Sequence, residues 1–432
     1  MAEVQFKILS QWLEWIEQNH PVDLIELGLD RLRQVYERMA LDLSSSQKVI
    51  VGGTNGKGST IAMLDQVLRD QGKTVGCFTS PHFLRYNERI KLAGQPVADA
   101  LIVRAFEAIE RARGDVRLTY FEYNTLAALH VFAAEQPEVM LLEVGLGGRL
   151  DAINIVDADI SVVTTVSVDH IDWLGDDRNQ IGYEKAGIYR GGRPAVCGDP
   201  CAPQKLIDHA AAIGAQLFLR GRDFNLSTET DDGWLWQGEQ LNGAVLTCSG
   251  LPEITLPRAN AATVLQVLSL LDCLPEPAAL RRSLSNARLT GRMQTVTVDQ
   301  IDYTLDVAHN PEAAAYLAAQ LADQPVKGRT LMVLGMLADK DIDQVLACLQ
   351  PVIDDWCLVT LDKPRGQKAQ VLADKLLQLG TVDSCLNTYN NVAEALAWVA
   401  RDANQDDRVI IAGSFFTVSD ALIALNMDGK SA

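Results

Sequence analysis

One glycine-rich segment of the chain has residues suited to holding a polyphosphate. It reads "VIVGGTNGKGST" from Val49 to Thr60. Glycines let several backbone N–H groups point inward, a following helix adds partial positive charge, and a lysine can reach the terminal phosphates. We therefore predict phosphate contacts from the residues Thr54, Asn55, Gly56, Lys57, Gly58, Ser59 and Thr60. The alternative is a glycine-rich turn between a strand and a helix.

The spacing within this loop departs from the usual phosphate-binding pattern. In G-x-x-x-x-G-K-[ST] the hydroxyl residue directly follows the lysine, whereas here Gly58 lies between Lys57 and Ser59. Taken alone, the segment predicts phosphate binding and leaves the class of nucleotide protein open. Ser59 or Thr60 is the candidate hydroxyl ligand for a magnesium ion.

Three later segments end in groups that suit a metal bound to phosphate oxygens. Ser80 lies in "FTSPH", Glu143 in "LLEVGLGG" and His170 in "VSVDH". Magnesium prefers oxygen ligands and keeps several waters, so a hydroxyl and a carboxylate are suitable ligands, whereas an imidazole is unusual. We predict that these three residues face a bound triphosphate. A structural, hydrogen-bonded role for His170 is the alternative.

The elements that must position these groups alternate between short β-rich runs and helical patterns. The predicted strands are "KVIVGG", "KTVGCFTS", "VMLLEVGLGG" and "ISVVTTVSVDH". This alternation is typical of a parallel sheet covered by helices. Ligands of open α/β sheets bind beyond the carboxyl ends of the strands, which is where the candidate residues stand.

A second alternation of strands and helices begins near "YTLDVAHNPEAAAYLAAQL" and continues through "RTLMVLGM", "DDWCLVTL" and "RVIIAGS". We therefore expect an α/β protein with two domains, 1–290 and 295–432. The first would be a P-loop-type parallel-sheet ATPase domain and the second a smaller Rossmann-like domain, with the active site in the cleft between them. From about 215 to 257 the pattern predicts a small antiparallel section, with Trp234 and Trp236 packed on one face or, alternatively, forming a ligand surface.

Composition limits the class of protein. Of the 432 residues, 48% are hydrophobic and 22% charged, and the net charge is -18. Such a chain is expected to fold throughout, and its charge argues against nucleic acid, because phosphate backbones need clustered lysine and arginine. Neither a long apolar run nor a signal-peptide pattern is visible, so we expect a cytoplasmic protein that does not enter membranes.

The eight cysteines show no CxxC motif and no metal-ligand spacing. Reduced thiols are the expectation for a cytoplasmic chain of this length. A redox pair of Cys197 and Cys201, in "CGDPC", is the alternative.

Ten blocks in order resemble one family. They are "GTNGKGS", "TSPHFLRYNERI", "LTYFEYNTLAALHVF", "LLEVGLGGRLDAINIVDADI", "DHIDWLGDDRNQIGYEKAGIYR", "NAAT", "GRMQ", "DVAHNP", "GMLADKD" and "GSFFTV". The first is similar to the loop of the Mur ligase superfamily, in which glycine separates lysine from Ser or Thr. Together the blocks resemble the folylpolyglutamate synthase and dihydrofolate synthase family, bifunctional bacterial type.

The resemblance implies the remaining ligands of the site. It assigns two Mg²⁺ ions to Ser80, Glu143, His170 and Lys185, with Lys185 carbamylated, and gives Lys57, Lys185 and His170 catalytic roles. It adds Asn260, Arg292 and Asp306 to the ATP contacts of the loop. The alternatives are a helix cap for Asn260 and a salt bridge between Arg292 and Asp306 across the domains. His309 would stack on adenine or belong to a turn.

Two segments are similar to those that line the dihydropteroate pocket of bifunctional members. They supply Gly28, Leu29, Asp30 and Arg31 from "ELGLDRL", and Thr119, Tyr120, Phe121 and Glu122 from "LTYFEYN". Phe121 would stack on the bicyclic ring. Core packing is the alternative for the aromatic residues.

The implied activity is ATP-dependent amide formation through an acyl phosphate. L-Glutamate would be joined to dihydropteroate, giving dihydrofolate, and to the glutamate tail of reduced folates. The resemblance implies small-molecule partners only (dihydropteroate, folates, L-glutamate and ATP) and a monomer. Two other hypotheses stay open, namely a different Mur-type peptide ligase and a non-enzymatic nucleotide switch.

Overall fold

The computed structural model describes residues 6–21, 24–227 and 233–427. The chain divides into two compact units, Met1–Ala287 and Arg288–Ala432. Each unit contains its own β-sheet.

The first unit is built on an eight-stranded sheet whose order is β4-β3-β2-β5-β1-β6-β7-β8. Six strands are parallel, whereas β3 and β4 pair antiparallel at one edge. The central strands are buried along nearly their whole length, as expected for a sheet covered on both faces. The strands are β1 (Gln47–Gly52), β2 (Val75–Phe78), β3 (Ile90–Leu92), β4 (Gln95–Pro96), β5 (Val139–Glu143), β6 (Ile160–Val163), β7 (Pro194–Cys197) and β8 (Gln216–Leu219).

Helices of the first unit pack around this sheet, and the core contains the large side chains of Trp12, Phe106, Tyr123 and Phe132. The helices are α1 (Leu9–Asn19), α2 (Asp30–Met39), α3 (Lys57–Asp70), α4 (Asp99–Arg113), α5 (Tyr120–Glu135), α6 (Ile171–Leu174), α7 (Arg178–Ala186), α8 (Gln204–Ile213), α9 (Arg258–Leu270) and α10 (Pro277–Asn286). Short 3₁₀ turns cover Tyr86–Arg89 and Ala152–Ile155.

A separate antiparallel sheet lies between α8 and α9 in the sequence. It contains β9 (Phe224–Ser227), β10 (Trp234–Glu239) and β11 (Val245–Leu251), in the order β11-β10-β9. Trp234 and Trp236 are 1% and 0% exposed, so they pack in the core and do not form a ligand surface. The predicted antiparallel section began too early, because Gln216–Leu219 pairs parallel with β7 and extends the large sheet.

The second unit contains a six-stranded sheet in the order β12-β13-β17-β14-β15-β16. Only the β12–β13 pair is antiparallel. Its strands are β12 (Gln294–Val298), β13 (Ile301–Leu305), β14 (Thr330–Leu334), β15 (Asp355–Val359), β16 (Leu386–Tyr389) and β17 (Arg408–Ala412). Its helices are α11 (Pro311–Asp323), α12 (Ile342–Leu349), α13 (Ala369–Gln378), α14 (Val392–Asp402) and α15 (Phe415–Ala424), with 3₁₀ turns at Gln350–Val352 and Asp383–Cys385.

The two sheets with their covering helices confirm the predicted α/β class. The antiparallel edge strands make both sheets mixed, which is common in large α/β sheets. All eight cysteines are free, including Cys197 and Cys201, in agreement with the expectation of reduced thiols. No helix in the described part of the chain is long and apolar enough to cross a membrane.

Candidate functional site

The phosphate-loop candidate connects β1 to α3 and is held by the segment that follows the neighbouring strand β6. Thr54 donates its backbone N–H to Thr165 O at 2.8 Å, and Asn55 N donates to Thr165 Oγ1 at 3.0 Å. Thr54 Oγ1 accepts from Ser167 N at 2.9 Å. These hydrogen bonds within the protein fix the backbone conformation of Thr54 and Asn55, so the conformation of the loop does not depend on a ligand.

The loop turns into α3 at Gly56, which has φ +84° and lies directly before Lys57. That left-handed conformation favours glycine. The amino group of Lys57 folds back over the loop and donates to Gly53 O at 3.0 Å and to Thr54 O at 3.1 Å. Its charge therefore lies at the helix N-terminus, where an anion would bind.

Gly58 is the second residue of α3, and Ser59 and Thr60 follow it in the first turn. Because each residue advances the helix by about 100°, the extra glycine rotates the hydroxyl position relative to the usual pattern. Both hydroxyl residues are buried, and Thr60 Oγ1 has no hydrogen-bond partner. An unpartnered buried hydroxyl in this turn is a group that fits a ligand role in the loop.

Asn260 lies against the phosphate loop. It belongs to the first turn of α9, whose N-cap is Pro257, so the helix-cap alternative for Asn260 is wrong. A Cβ atom on Gly56 would be 2.7 Å from both Asn260 Nδ2 and Asn260 Oδ1. The structure thus brings together an amide and a loop that are about two hundred residues apart in sequence.

Ser80 follows β2, Glu143 ends the adjacent strand β5, and the two residues are in contact. Ser80 donates its backbone N–H to Glu143 Oε2 at 3.0 Å. Glu143 is the last residue of β5 and is buried. Because the carboxyl ends of neighbouring parallel strands meet at one edge, the two predicted metal ligands lie together.

His170 lies on the exposed segment after β6. It has a left-handed backbone conformation, with φ 55°, and lies directly before α6. Its backbone N–H donates to Asp169 Oδ1 at 2.8 Å. Within the described ranges no group of three or more His, Cys, Asp and Glu side chains forms a metal centre. Of the four predicted metal ligands, only Glu143 and His170 are residues of those types. Metal binding by this set therefore depends also on the Ser80 hydroxyl and on modification of Lys185.

Lys185 is buried in the last turn of α7, with 3% of its surface exposed. Burial lowers the pKa of its amino group to about 7, and the charge of Lys57 adds to this, while Asp169 and Asp151 oppose it. A substantial fraction of Lys185 is therefore neutral near pH 7. The carbonyl oxygen of Lys185 lies 2.9 Å from where a Cβ on Gly148 would be, so α7 packs tightly on the loop after β5.

Asp151 belongs to the same region and was not singled out from the sequence. It is buried and accepts from Leu146 N at 2.8 Å and from Ile153 N at 3.0 Å. Burial raises its pKa to about 6, although these hydrogen bonds and the charge of Lys57 act in the opposite direction. Its position after the glycines of "LGGRLD" was the available sequence signal, since such loops place side chains near ligands.

The predicted pterin segments meet the loop after β5. Gly28 N donates to Leu150 O at 3.4 Å. Phe121 lies over Gly145, where a Cβ would be 2.5 Å from Phe121 Cζ. The backbone of Gly28 and the ring of Phe121 therefore reach one loop from two distant parts of the sequence.

Other members of these two segments have local structural roles. Thr119 caps α5, where its N–H donates to Glu122 Oε2 at 2.6 Å and its Oγ1 accepts from Glu122 N at 3.2 Å. Arg31 pairs with Glu122 at 3.3 Å, although burial raises the pKa of the Glu122 carboxyl. Leu29 packs against the core, and Asp30 is exposed in the first turn of α2.

Tyr120 is buried, and its ring faces the guanidinium of Arg89 at 5.7 Å. Burial raises the pKa of its hydroxyl. Tyr120 therefore packs in the core, which was the alternative given for the aromatic residues of this segment. Phe121 is only partly buried.

In the second unit, Asp306 follows β13 and organises the segment around Arg292. Asp306 Oδ2 accepts from Met293 N and Oδ1 accepts from Ala308 N, each at 2.9 Å. Burial raises the pKa of this carboxyl, and the charge of Arg292 opposes the effect. Both residues lie in one unit, so a salt bridge between domains is wrong for this pair. His309 Nδ1 lies 2.8 Å from Val307 O in the turn before α11.

Comparison with known proteins finds two family models. The Mur ligase middle domain matches residues 51–198, and the Mur ligase glutamate ligase domain matches residues 291–415. The first covers the phosphate loop, Ser80, Glu143, His170 and Lys185, and the second covers Arg292 and Asp306.

Relatives match over nearly the whole chain. The dihydrofolate synthase/folylpolyglutamate synthase of Escherichia coli is 42% identical over 96% of this chain and 94% of its own length. The structure of Escherichia coli FolC in complex with DHPP and ADP matches with a TM-score of 0.89 and 41% identity, covering 98% of this chain and 99% of that one. A bifunctional folylpolyglutamate synthase/dihydrofolate synthase with Mn, AMPPNP and L-glutamate bound matches with a TM-score of 0.88 and 43% identity, covering 98% and 100%.

Proposed function

Because the chain belongs to the dihydrofolate synthase/folylpolyglutamate synthase family, we propose that it uses ATP to join L-glutamate to dihydropteroate and to the glutamate tail of reduced folates. The observation that carries this proposal is the identity of 42% over 96% of the chain, which includes the whole phosphate loop and its surroundings. Solved relatives bind ADP, AMPPNP, Mn, DHPP and L-glutamate, which supports a nucleotide, a divalent metal, an acceptor and an amino acid as ligands here.

Nucleotide binding is assigned to the loop from Thr54 to Thr60 together with Asn260. The loop backbone is held by the segment after β6, and Lys57 places its ammonium over the loop carbonyls. A glycine-rich loop, a helix N-terminus and one lysine match the needs of a triphosphate. Arg292 and Asp306 are proposed as further ATP contacts, and their role stays a prediction.

The reaction requires activation of a carboxylate, since amide formation from a carboxylate and an amine is unfavourable in water. One oxygen of the acceptor carboxylate attacks the γ-phosphorus of ATP, and ADP leaves. The amine nitrogen of L-glutamate then attacks the acyl carbon, the C–O bond to phosphate breaks, and the amine loses a proton. Lys57 acts in the first step by neutralising charge on the transferred phosphoryl group.

Magnesium, when bound, would further neutralise the phosphate oxygens and orient the γ-phosphate. We assign two ions to Ser80, Glu143, His170 and carbamylated Lys185. The backbone N–H of Ser80 contacts the Glu143 carboxylate, so a hydroxyl residue and a carboxylate lie at one strand edge, which suits a hard cation. His170 and Lys185 complete the set in this proposal.

Lys185 fits the carbamate assignment because its environment favours the neutral amine. The lone pair of the neutral amine attacks the carbon of CO₂ and the nitrogen releases one proton, which converts a neutral amine into an anionic carbamate. Burial and the neighbouring Lys57 lower the pKa of Lys185 to about 7, which supplies that neutral amine. An unmodified ammonium beside Mg²⁺ would instead be repelled.

The pterin ring is assigned to the surface around Phe121 and Gly145, bordered by Gly28. An aromatic ring held against a glycine can offer its other face for stacking. Leu29, Asp30, Arg31, Thr119, Tyr120 and Glu122 support this surface in our proposal through the contacts of α2 and α5. Monomeric state and cytoplasmic location stay predictions from the sequence.

The decisive assay measures ADP release from ATP with Mg²⁺ and L-glutamate, using dihydropteroate in one reaction and tetrahydrofolate in another. We expect glutamate-dependent ADP release with both acceptors and one new amide per ADP. Absence of such release with both acceptors would refute the folate assignment. Activity with a UDP-linked muramyl acceptor alone would favour a cell-wall ligase.

The role of Lys57 is tested separately by Lys57→Ala. Loss of its ammonium should abolish turnover while the thermal unfolding midpoint stays close to that of the wild type. Lys205→Ala is the matched control, because Lys205 is an exposed helix lysine. Equal activity of the Lys57→Ala and Lys205→Ala variants would contradict the phosphate-loop assignment.

A further inference from the structure

Arg89 is a buried arginine without an acidic partner. It is 7% exposed, and among the described residues no carboxylate lies within ion-pair distance of its guanidinium. Its Nε donates to His82 Nδ1 at 2.8 Å. Its guanidinium carbon lies 5.9 Å from the ring centre of Tyr86 and 5.7 Å from that of Tyr120. The imidazole accepts at Nδ1, so all three partners are neutral groups.

The nearest acid in sequence does not compensate this charge. The carboxylate of Glu88 accepts from the backbone N–H groups of Phe83 and Leu84 at 2.8 Å each and of Arg85 at 2.6 Å. Arg113, another largely buried arginine of this unit, is by contrast paired with Glu110. A buried cation without a counter-ion is costly to keep unless an anion binds to it in the working protein.

The position of Arg89 connects the two halves of the proposed site. Its backbone oxygen accepts from Thr79 N at 2.9 Å, and the next residue, Ser80, donates to Glu143. Its side chain reaches Tyr120, which directly precedes Phe121. Arg89 is therefore held to the predicted metal edge by its backbone and contacts the predicted pterin wall with its side chain.

The two proposed acceptors differ in the number of carboxylates at the end that reacts. Dihydropteroate ends in a single carboxylate, which is the group that reacts. A folate that already carries glutamate reacts through its γ-carboxylate and keeps a free α-carboxylate beside it. A guanidinium recognises a carboxylate by two parallel N–H···O bonds, so it suits the group that only the second acceptor has.

We propose that Arg89 binds the α-carboxylate of the terminal glutamate of the folate acceptor, and so selects for tail extension rather than for dihydrofolate synthesis. This inference depends on the proposed function. Arg89 contacts the substrate in this role and leaves the reacting atoms to the residues around Lys57.

The test compares three acceptors on the wild type, Arg89→Gln and Arg85→Gln. The acceptors are dihydropteroate, tetrahydrofolate, and a tetrahydropteroyl-γ-aminobutyrate that keeps the reacting carboxylate but lacks the α-carboxylate. Arg85 is the control because it belongs to the same segment but is exposed and pairs with Asp99.

Arg89→Gln should raise the KM for tetrahydrofolate by about tenfold or more, the size of effect expected for losing a charged hydrogen bond. Its KM for dihydropteroate and for the γ-aminobutyrate analogue should change by less than about threefold. Arg85→Gln should change none of the three. Equal losses with all acceptors, or a fall in kcat with KM unchanged, would overturn the proposal and assign Arg89 a structural role.

A second measurement covers the case in which Arg89→Gln does not fold. Wild-type enzyme should prefer tetrahydrofolate over the γ-aminobutyrate analogue by about tenfold in KM, and Arg89→Lys should show an intermediate preference. No preference in the wild type would refute the role of Arg89 while leaving the ligase assignment intact. No ADP release from the wild type with any acceptor would instead refute the proposed function.

Discussion

The side-chain amide of Asn260 closes directly on Gly56. A methyl group at Gly56 would be 2.7 Å from Asn260 Nδ2 and from Asn260 Oδ1. The phosphate loop is thus enclosed between the end of β6 on one side and the first turn of α9 on the other. The close approach requires both a residue without a side chain and an amide held by a buried helix.

Gly56→Ala should raise the KM for ATP by more than about tenfold, because the new Cβ displaces the amide and the φ of +84° strains alanine by about 1–2 kcal/mol. Asn260→Ala should have a smaller effect on the same KM. The double variant separates the two causes, since removing the amide relieves the contact but leaves the backbone strain. Full recovery in the double variant would show that the backbone conformation is unimportant.

Gly145→Ala should weaken binding of the pterin acceptor, because the new Cβ would lie 2.5 Å from Phe121 Cζ and force the ring to move. We expect a rise of about tenfold in KM for dihydropteroate and little change in KM for ATP. Phe121→Leu in the same chain should not restore the loss, because it removes the ring that is proposed to stack on the pterin. If KM for dihydropteroate stays at the wild-type value in Gly145→Ala, the pterin does not use this surface.

Lys185→Ala should abolish turnover, and short carboxylic acids should restore part of it by replacing the carbamate. Removing CO₂ and bicarbonate from the wild type should lower its activity, and adding bicarbonate should restore it. Intact-protein mass spectrometry under native conditions should find the mass of one added CO₂, which is absent in Lys185→Ala. Lys205→Ala is again the control, and indifference of activity to Lys185→Ala would contradict the assignment.

His20 should make the protein less stable as the pH falls below about 6.5, its pKa in an unfolded chain. The ring is buried against Tyr123 and donates from Nδ1 to Leu118 O at 2.6 Å. Burial lowers its pKa in the folded protein. Between the two pKa values the unfolded chain binds more protons, so the free energy of unfolding rises with pH in that window.

Urea unfolding at pH 7 and pH 5 measures this effect. His20→Gln should reduce the difference in the free energy of unfolding between the two pH values. A part of the difference should remain, because burial also lowers the pKa of His82, His130 and His209. An unchanged difference in the variant would exclude a contribution from His20.

The sequence determined the local elements on its own. Hydrophobic runs predicted the strands β1, β2 and β5, which lie shortly before Lys57 and Ser80 or end at Glu143, because a buried parallel strand needs continuous apolar residues and a turn at its end. The ten ordered blocks identified the family from the sequence alone. The first strand after residue 215 was misassigned, because a short alternating run fits an edge strand of a parallel sheet as well as an antiparallel one.

Only the tertiary structure decided which of these groups meet. Strand order places β2, β5, β1 and β6 side by side although they are dispersed in sequence, and this brings Ser80 to Glu143 and Thr54 to Thr165. Three properties depend on burial and on neighbours from other elements. They are the lowered pKa of Lys185, the raised pKa of Asp151 and the buried charge of Arg89. Local sequence encodes the type and direction of an element, whereas desolvation and charge pairing arise from packing between elements distant in the chain.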